Sequence, residues 1–399
     1  MNDKLLAHFS DHLDMLKAKH NHRAFRALIH DQSQVQMADT RLVNLASNDY
    51  LGIAQKGQLQ EEFLDNIDKI SKNYGENLLL TSSSSRLLTG NFTSYTALEE
   101  RMSTLFGRAC LLFNSGYHAN VGIIPAICDG GTMILADKLV HASMIDGIRL
   151  ATAAGAKCVR YQHQNLAQLD KLLAKYQDDD SIHRIVILTE SIFSMDGDVT
   201  DLPALVQMKN RYDKAMLYID EAHAIGVCGE MGLGCAEQFG CIDDVELIVG
   251  AFGKAMASVG GYVICHDIIK DYLINTMRPL IFSTALPPLN IAWTQFVLER
   301  IIGMSDERAQ LQQRSQMLRE QITAMGYACP SASQIVPMIV HDNDRVLALA
   351  DQMQAAGFLV LGVRPPTVPV GQARLRICLN TAIGDNEFTQ FCQVLKTIA

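Results

Sequence analysis

Short apolar runs alternate with amphipathic helical patterns through most of the chain. The clearest runs, each about as long as a strand, are residues 109–113, 131–135, 184–189, 215–219 and 246–250. Runs that are apolar throughout, with helices between them, are typical of a mostly parallel sheet covered by helices on both faces. The pattern therefore predicts an α/β fold, in which ligands bind at the carboxyl ends of the strands.

The two ends of the chain show different patterns. Residues 1 to about 30 predict an amphipathic helix with large apolar residues at helical spacing, and a short strand follows at residues 41–45. After about residue 290, two helical stretches precede apolar runs at 334–340 and 373–379 and a last helix. We predict an amino-terminal helix and strand segment (1–45), a large domain (46–288) and a small carboxy-terminal α+β domain (289–399).

Composition and charge exclude several classes of protein. The 399 residues are 48% hydrophobic and 19% charged, as in globular enzymes, and the net charge of −9 with no basic block argues against nucleic-acid binding. The ten cysteines form no Cys-x-x-Cys pair, which argues against a zinc site or a disulfide framework. The sequence shows neither a signal peptide nor an apolar run of about 20 residues. We therefore expect a reduced, cytoplasmic protein that binds no membrane.

Two short motifs carry the strongest chemical signal. The apolar run at 215–219 ends in Asp220, and Lys254 lies downstream in the small-residue loop AFGKA. A carboxylate at the end of a buried strand can pair with a pyridinium nitrogen, and a loop lysine can form a Schiff base with an aldehyde. These are the two groups that a pyridoxal phosphate enzyme needs from its protein, so we predict pyridoxal 5′-phosphate as the cofactor.

Other candidate groups follow other strands, and each has an ordinary structural alternative. Segment 113–120 (FNSGYHAN) runs through a glycine turn into a helix, whose free amides predict an anion site, although many αβ turns look the same. His141 can stack on a pyridine ring or merely cap a helix. Ser194 can donate to the phenolic oxygen of the cofactor or belong to a plain turn.

His223 follows Asp220 closely and can hydrogen-bond to the phenolic oxygen of the cofactor or to that carboxylate. A metal site is the competing hypothesis, but no second histidine stands at ligand spacing, so we predict none. The glycine-rich stretch at 226–234 does not open a helix after the first strand of a βαβ unit, which excludes a dinucleotide site. All these groups occur in order at strand ends, which makes coincidence a poor explanation.

With these motifs the chain resembles the α-oxoamine synthases, fold-type I pyridoxal phosphate enzymes that condense an amino acid with an acyl thioester. The resemblance runs from segment 44–52 (NLASNDYLG) to segment 373–376 (ARLR). Segment 364–369 (RPPTVP) is most similar to members that use L-alanine and a pimeloyl thioester. The resemblance implies a fold-type I transferase and that decarboxylative condensation.

The resemblance also implies roles around the cofactor ring. Lys254 holds the cofactor covalently and later moves the proton, while Asp220 pairs with the ring nitrogen. His141 stacks on the ring, and Ser194 and His223 contact its phenolic oxygen. The implied catalytic set is Lys254, His141, Asp220 and His223.

The phosphate and the subunit interface are implied in the same way. Ser115, Gly116 and Tyr117 lie against the cofactor, with backbone amides near its phosphate. Ser283 and Thr284 of FSTALPP reach the phosphate of a neighbouring subunit, which implies a homodimer with the active site at the interface.

Arginines are the expected substrate ligands. Asn48 and Arg376 match positions at the amino-acid carboxylate, where a guanidinium can bind in bidentate fashion. The distal carboxylate of a pimeloyl chain also needs a cation, for which Arg23, Arg26 and Arg364 are candidates. For the first two, exposed arginines on a helix are an equally good interpretation.

Two departures from the family pattern affect the prediction. Ala251 stands where the family usually has a hydroxyl residue, so one donor to the phosphate is missing. The usual glycine-rich loop near the substrate is replaced by residues 81–86 (TSSSSR), and serine adopts positive φ less readily than glycine. Substrate choice is therefore predicted less firmly than chemistry.

Three alternatives stay open from sequence. A sister synthase would use glycine with acetyl-CoA, or a longer acyl thioester. A non-catalytic partner subunit would be expected to lose the lysine, which is present. A cofactor-binding transcription factor would need a helix-turn-helix segment, which does not precede the domain. The acyl donor can be carried by coenzyme A or by an acyl carrier protein.

Overall fold

The amino-terminal region forms one helix and a small sheet. In the computed structural model, which describes residues 3–19 and 21–399, these are α1 (Asp3–Ala18), β1 (Ile29–Asp31), β2 (Gln34–Met37) and β3 (Thr40–Asn44). Met1, Asn2 and His20, part of the predicted segment 1–45, lie outside the described residues. The prediction of a helix to about residue 30 was wrong, because the apolar spacing stops at Leu16 and the chain turns into strands from Ile29 onward.

In the middle of the chain, helices and strands alternate between residues 109 and 251, as predicted, with further helices before and after. Its elements are α2 (Gly57–Asp65), α3 (Ile67–Tyr74), a π-helical turn (Arg86–Gly90), α4 (Thr93–Phe106), β4 (Ala109–Phe113), α5 (Gly116–Ile127), β5 (Thr132–Asp137), α6 (Ala142–Ala153), β6 (Lys157–Tyr161), α7 (Leu166–Gln177), β7 (Arg184–Glu190), α8 (Leu202–Lys209), β8 (Ala215–Asp220), α9 (Cys235–Gln238), a 3₁₀ turn (Ile242–Asp244), β9 (Leu247–Ala251), β10 (Gly261–Cys265), α10 (Asp267–Thr276) and α11 (Arg278–Ile281).

The carboxy-terminal region is built from long helices and a second sheet. Its elements are α12 (Pro288–Ile302), α13 (Ser305–Ala324), β11 (Ile335–His341), α14 (Asn343–Ala355), β12 (Phe358–Leu359), β13 (Leu361–Val363), β14 (Ala373–Cys378) and α15 (Asp385–Ile398). Strands β11, β14 and β13 form an antiparallel sheet in that order. This is the predicted α+β pattern.

The central sheet has seven strands in the order β4-β10-β9-β8-β7-β5-β6. Strands β5 to β9 pair in parallel, whereas β10 is antiparallel to both of its neighbours. Alternate side chains of each strand bury against opposite layers: Val186 and Leu188 join the core beneath α5 and α6, and Ile185 and Ile187 join the core on the other face. Burial on both faces explains why these strands are apolar throughout, which confirms the predicted fold class.

The first and last parts of the chain share a sheet. Strand β3 pairs in parallel with β12, and Val43 lies opposite Phe358. The predicted division at residues 45 and 288 stays a prediction, although this pairing joins the amino-terminal segment to the carboxy-terminal region. Within residues 3–19 and 21–399, no helix is both long and apolar enough to cross a membrane.

Gly197 fixes the contact between the loop after β7 and the carboxy-terminal region. Its φ is +67°, and a Cβ at this position would lie 2.0 Å from the Ile335 carbonyl oxygen. The amide of Ala332 donates to the Gly197 carbonyl at 3.0 Å. Only a residue without a side chain allows the two backbones to approach this closely.

We expect Gly197→Ala to lower the free energy of unfolding by about 2–4 kcal/mol, from left-handed strain together with the backbone clash. Gly240→Ala is the matched control, since its φ is +64° but nothing lies within 4 Å of its Cβ position. That variant should lose only about 1 kcal/mol. Equal losses in chemical unfolding would show that the close approach to Ile335 is unimportant.

Candidate active site

The candidate site groups meet at one edge of the central sheet. Strands β5, β7, β8 and β9 run in parallel, so Asp137, Glu190, Asp220 and Ala251 end neighbouring strands on the same side. Glu190 and Asp220 are directly opposite each other in the strand register, which points their side chains to the same face of the sheet. Motifs that follow one another along the chain therefore lie close together at this edge of the sheet.

Asp220 is buried, with 7% of its surface exposed, and its carboxylate is oriented by two donors. Asn120 Nδ2 donates to Oδ2 at 2.7 Å, and the Ala222 amide donates to Oδ1 at 2.9 Å. A buried carboxylate with few partners is costly unless a cation approaches it. Asp220 is thus suited to hold a protonated ring nitrogen.

A hydrogen-bond network connects Asp220 to His141. Asn120 lies on α5 and receives a hydrogen bond from Tyr218 Oη at 2.6 Å. Its amide nitrogen also donates to Ser143 Oγ at 3.0 Å, and Ser143 Oγ lies 2.8 Å from His141 Nδ1. The His141 residue as a whole is exposed, but the protein around its ring desolvates the imidazole, which lowers the pKa of His141. The charge of Asp220 acts in the opposite direction and has a smaller effect.

Lys254 lies in the loop between β9 and β10, half-buried near the two carboxyl groups of β7 and β8. Burial lowers the pKa of its ammonium group, against the opposing effect of the Asp220 and Glu190 carboxyl groups. A lysine that loses its proton more easily is a better nucleophile towards a carbonyl carbon. The predicted covalent residue therefore has the appropriate environment.

Glu190 is a carboxyl group that the sequence predictions did not include. It is buried, and desolvation together with the neighbouring Asp220 charge raises its pKa well above the ordinary value. Its Oε1 atom has no hydrogen-bond partner among the described residues. Glu190 is therefore a second buried carboxyl group, opposite Asp220 in the strand register, that holds its proton more strongly than usual.

A second network connects His223 to Arg376. Tyr50 Oη lies 2.7 Å from His223 Nδ1 and 3.1 Å from Asn48 Oδ1, which in turn accepts from Arg376 Nη2 at 3.2 Å. Burial, with the nearby Lys254 charge, lowers the pKa of His223 well below its ordinary value. His223 is therefore a neutral imidazole at physiological pH.

Arg376 reaches this network from β14, so the carboxy-terminal sheet supplies one wall of the site. It is buried, and its Nε donates to the Ser194 carbonyl at 2.7 Å. Its Nη1 lies 2.9 Å from Cys378 Sγ. Ser194 and Arg376 are thus brought together by main-chain contact, while the Ser194 side chain is half-buried and available.

The amino terminus of α5 forms a backbone cradle. Ser115 caps the helix, with its Oγ accepting from the His118 amide at 3.1 Å. A Cβ on Gly261 would lie 2.6 Å from the Gly116 amide nitrogen, and a Cβ on Gly116 would lie 3.0 Å from Ala251 Cβ. Glycine at both positions leaves the first amides of the helix accessible to an anion.

Tyr117 is half-exposed at this helix start, with 48% of its surface accessible, and its hydroxyl donates to the Asp146 carboxylate on α6. Thr284 lies next to the same loop, since its carbonyl accepts from Asn114 Nδ2 at 2.7 Å. Ser283 is half-buried and Thr284 is exposed, so both remain accessible to a second molecule.

The serine-rich loop follows a distinct path stabilised by its own hydroxyl groups. Ser83 adopts a φ of +51°, the conformation that glycine would take more easily. Ser82 Oγ donates to the Ala285 carbonyl at 2.6 Å, and Ser85 forms a bridge with Thr284. The loop is thus attached to segment 282–288 on the same side of the molecule.

A cavity of about 880 Å³ opens beside Arg376. Arg23, Arg26 and Arg364 line it together with Arg376. Because α1 ends at Ala18, the interpretation of Arg23 and Arg26 as helix arginines was wrong. The structure therefore brings all the predicted substrate arginines to one cavity.

His163 orders the turn that precedes His141. Its ring lies between two carboxylates, with Nδ1 2.9 Å from Asp137 Oδ1 and Nε2 2.7 Å from Asp198 Oδ2. Asp137 also accepts from the Leu139 amide at 2.8 Å, which shapes the chain leading to His141. Burial alone would lower the pKa of His163, but the two carboxylates outweigh it and raise the pKa to about 10.

Sequence reasoning found the charged groups and missed those that orient them. Asn120, Ser143, Tyr50 and Glu190 stand inside the motifs that were recognised, but ordinary buried polar residues have the same appearance in sequence. Only the tertiary packing shows these contacts: α5 and α6 bring Asn120 and Ser143 to Asp220 and His141, and the loop after β3 brings Tyr50 to His223. Among the residues described by the structure, no cluster of metal-ligating side chains is present.

The site residues, apart from Arg23 and Arg26, lie within a region that matches one protein family. The model of the aminotransferase class I and II family matches residues 40–395. The chain belongs to this family. As the α-oxoamine synthase resemblance predicted, it is a pyridoxal phosphate-dependent acyltransferase of fold-type I.

Relatives and solved structures agree with the family. A protein of Pasteurella multocida strain Pm70, provisionally named 8-amino-7-oxononanoate synthase, is 49% identical over 99% of this chain and 100% of its own length. The structure of 8-amino-7-oxononanoate synthase from Francisella tularensis matches with a TM-score of 0.72 at 27% identity, covering 89% of this chain and 97% of that one. Serine palmitoyltransferase of Sphingomonas wittichii matches with a TM-score of 0.85 at 26% identity, covering 99% and 96%.

The residues present fit pyridoxal phosphate. Asp220 is a buried carboxylate suited to a ring nitrogen, Lys254 has a lowered pKa, and glycines expose the helix amides needed by a phosphate. Ala251 has only a methyl side chain at that cradle. It therefore cannot supply the hydroxyl donor to the phosphate that the family usually has at this position.

We expect His163→Gln to destabilise the protein in a pH-dependent way. Because the folded-state pKa of about 10 lies above the ordinary 6.5, the stabilisation is complete below about pH 6.5 and is lost as the pH rises through 10. The free energy of unfolding should fall by roughly 1–2 kcal/mol near pH 6, a value moderated by partial solvent screening, and by little above pH 10.

Chemical unfolding of both proteins at several pH values measures this difference. His183→Gln is the control, since that ring contacts Asp129 on the surface, with 55% of its side chain exposed. A His163→Gln difference that stays constant from about pH 6 to 10 would rule out a charged His163 in the folded protein.

Proposed function

We propose that this protein condenses L-alanine with a pimeloyl thioester, releasing carbon dioxide and the thiol and forming 8-amino-7-oxononanoate for biotin synthesis. The observation that carries the proposal is the arginine-lined cavity that opens from Arg376, which suits a chain with a carboxylate at its far end. The names of the full-length relatives support the same reaction.

Bound pyridoxal phosphate supplies an electron sink for the carbanion formed at the amino-acid α-carbon. The Asp220 carboxylate keeps the ring nitrogen protonated, which its burial and its Asn120 contact favour. Lys254 would hold the cofactor through Nζ, and the same amine, when free, would remove the α-proton of the amino acid. His141, Ser194 and His223 are proposed to contact the ring, and the amides at Ser115, Gly116 and Tyr117 its phosphate.

Arg376 is proposed to bind the amino-acid carboxylate. A guanidinium has five N–H donors, and protein contacts to Ser194, Asn48 and Cys378 use one on each nitrogen. Two N–H groups remain for a bidentate contact with a carboxylate. Asn48 fixes the orientation of the guanidinium, so its proposed role is indirect.

The distal carboxylate of the acyl chain requires a second cation. Arg364 is half-buried in the cavity wall, and Arg23 is held over the same wall by donating to Thr367 Oγ1 at 2.9 Å. Arg26 lines the cavity from the same amino-terminal segment. These side chains line the same cavity as Arg376, so one acyl chain could contact both ends of the arginine set.

We also propose a homodimer with Ser283 and Thr284 near the phosphate of the partner's cofactor. Large apolar side chains are exposed close to these residues in sequence or space, with exposed fractions of 78% for Leu80, 79% for Leu88 and 71% for Phe282. Exposed apolar groups around an accessible site loop are expected where a second subunit packs.

Thiol release with purified, cofactor-loaded protein tests the reaction. We expect pimeloyl-CoA with L-alanine to exceed acetyl-CoA with glycine by on the order of 100-fold in kcat/KM, because the cavity favours a long chain with a terminal carboxylate. Lys254→Ala should be inactive and should not retain cofactor after borohydride reduction. Preference for acetyl-CoA and glycine would move the protein to a sister activity, and no release with either pair would refute the proposal.

The arginine assignment needs a substrate pair that differs only in the distal carboxylate. Arg23→Ala, Arg26→Ala and Arg364→Ala should be compared with pimeloyl-CoA and heptanoyl-CoA. The arginine that binds the carboxylate should lose about 10–100-fold in kcat/KM with pimeloyl-CoA and little with heptanoyl-CoA. Arg41→Ala is the control, since it pairs with Asp31 at the surface. If no variant changes the ratio, the carboxylate binds elsewhere.

A further inference from the structure

Asn120 is the junction of the network that connects the two proposed ring contacts. Its side chain is buried, with 1% of its surface exposed, and contacts Tyr218, Asp220 and Ser143 at once. Each of its polar atoms is used, since Oδ1 accepts one hydrogen bond and Nδ2 donates two. A buried amide with every hydrogen bond satisfied has a single favoured orientation.

The hydrogen bonds made by Asn120 take their directions from the carboxylate. An ionised Asp220 can only accept, so the nearer amide atom of Asn120 must be the nitrogen, and Tyr218 must donate to Oδ1. The second amide hydrogen then points to Ser143 Oγ. Ser143 Oγ has a second lone pair, so the direction of its 2.8 Å contact with His141 Nδ1 is decided by the Ser143 amide. That N–H can only donate, which makes Nδ1 an acceptor and directs the Ser143 hydroxyl hydrogen to it.

His141 Nδ1 also accepts from the Ser143 amide at 3.2 Å. Two donors facing one ring nitrogen leave no room for a proton on it. The proton of a neutral imidazole must therefore reside on Nε2. The lowered pKa of His141 agrees with this arrangement.

Other charged groups around His141 act on it from different elements. Asp220 from β8 and Asp146 from α6 favour the imidazolium, whereas Lys254 from the loop after β9 opposes it. Glu190 from β7 accepts a hydrogen bond from the His141 main chain, and its own pKa is raised by burial and by Asp220. Asp220, whose charge has the larger effect of the two carboxylates, is the one that accepts a hydrogen bond from Asn120.

We propose that Asn120 is a positioning residue that orders both ring contacts, holding Asp220 for the ring nitrogen and, through Ser143, holding His141 as the neutral imidazole with its proton on Nε2. The role of the network towards a cofactor rests on the proposed function, but the tautomer is a property of the protein alone. An experiment on the cofactor-free protein can therefore test the tautomer separately from the proposed function.

Nitrogen-15 NMR of histidine-labelled, cofactor-free protein tests the tautomer directly, with the His141 signal assigned from its loss in His141→Gln. In the wild type we expect an acceptor Nδ1 and a protonated Nε2 at neutral pH. In Ser143→Ala and Asn120→Ala the two nitrogens should become more alike, and the titration midpoint should rise by about one pH unit. A titration with pyridoxal phosphate, followed by absorbance, should show that Asn120→Ala raises the Kd of the cofactor about 10–100-fold. Ser143→Ala should raise it less, because that variant keeps the hydrogen bond from Asn120 to Asp220.

Asn380→Ala is the matched control, because Asn380 is equally a buried asparagine with hydrogen bonds, but to Asn44 and Ala382. It should leave both the His141 signal and cofactor affinity unchanged. The proposal is overturned if the wild-type proton lies on Nδ1, or if Ser143→Ala leaves the His141 signals unchanged. Should Asn120→Ala not fold, Ser143→Ala alone decides the outcome. A wild type that shows the expected tautomer but binds no cofactor would refute the proposed function and leave the network intact.

Discussion

The buried negative charge of Asp220 is the constraint on which the site depends. Removing a carboxylate from water costs several kcal/mol unless donors or a cation compensate it. Here the compensation is divided between the Asn120 amide and the main chain, and it leaves one side of the carboxylate for a ligand cation. The neighbouring groups respond to the same buried setting: the Asp220 charge and burial raise the pKa of Glu190, whereas burial lowers the pKa of Lys254 against the attraction of Asp220.

The second constraint is the close approach of backbone to backbone. Gly116 and Gly261 allow the start of α5 to press against the sheet edge, and Gly197 allows the loop after β7 to meet the carboxy-terminal region. These contacts bring Arg376, far along the chain, next to Ser194. The site is therefore completed only when the carboxy-terminal sheet has packed against the central one.

Chemistry and specificity are supplied by different parts of the molecule. The strand ends of the central sheet hold Asp220, Lys254 and the neutral histidines, an arrangement that suits carbanion chemistry on many amino acids. The cavity beside Arg376 is lined by the amino-terminal segment and by the segment that contains Arg364, both joined through the pairing of β3 with β12. Under the proposed reaction, the choice of acyl donor is therefore expected to depend on these segments more than on the strand ends.

The sequence by itself determined the α/β class and the main strands, and it pointed to candidate site residues at strand ends, because continuous apolar runs and strand-end polar residues result from local rules of burial. It failed where contacts between distant residues decide the structure. The amino-terminal helix ends earlier than predicted, and Asn120 looks in sequence like any buried amide. Tertiary structure alone decided which residues orient Asp220 and His141, and that Arg23 and Arg26 line a cavity. Hydrogen bonds and cavity walls join residues distant in sequence, so no local pattern contains them.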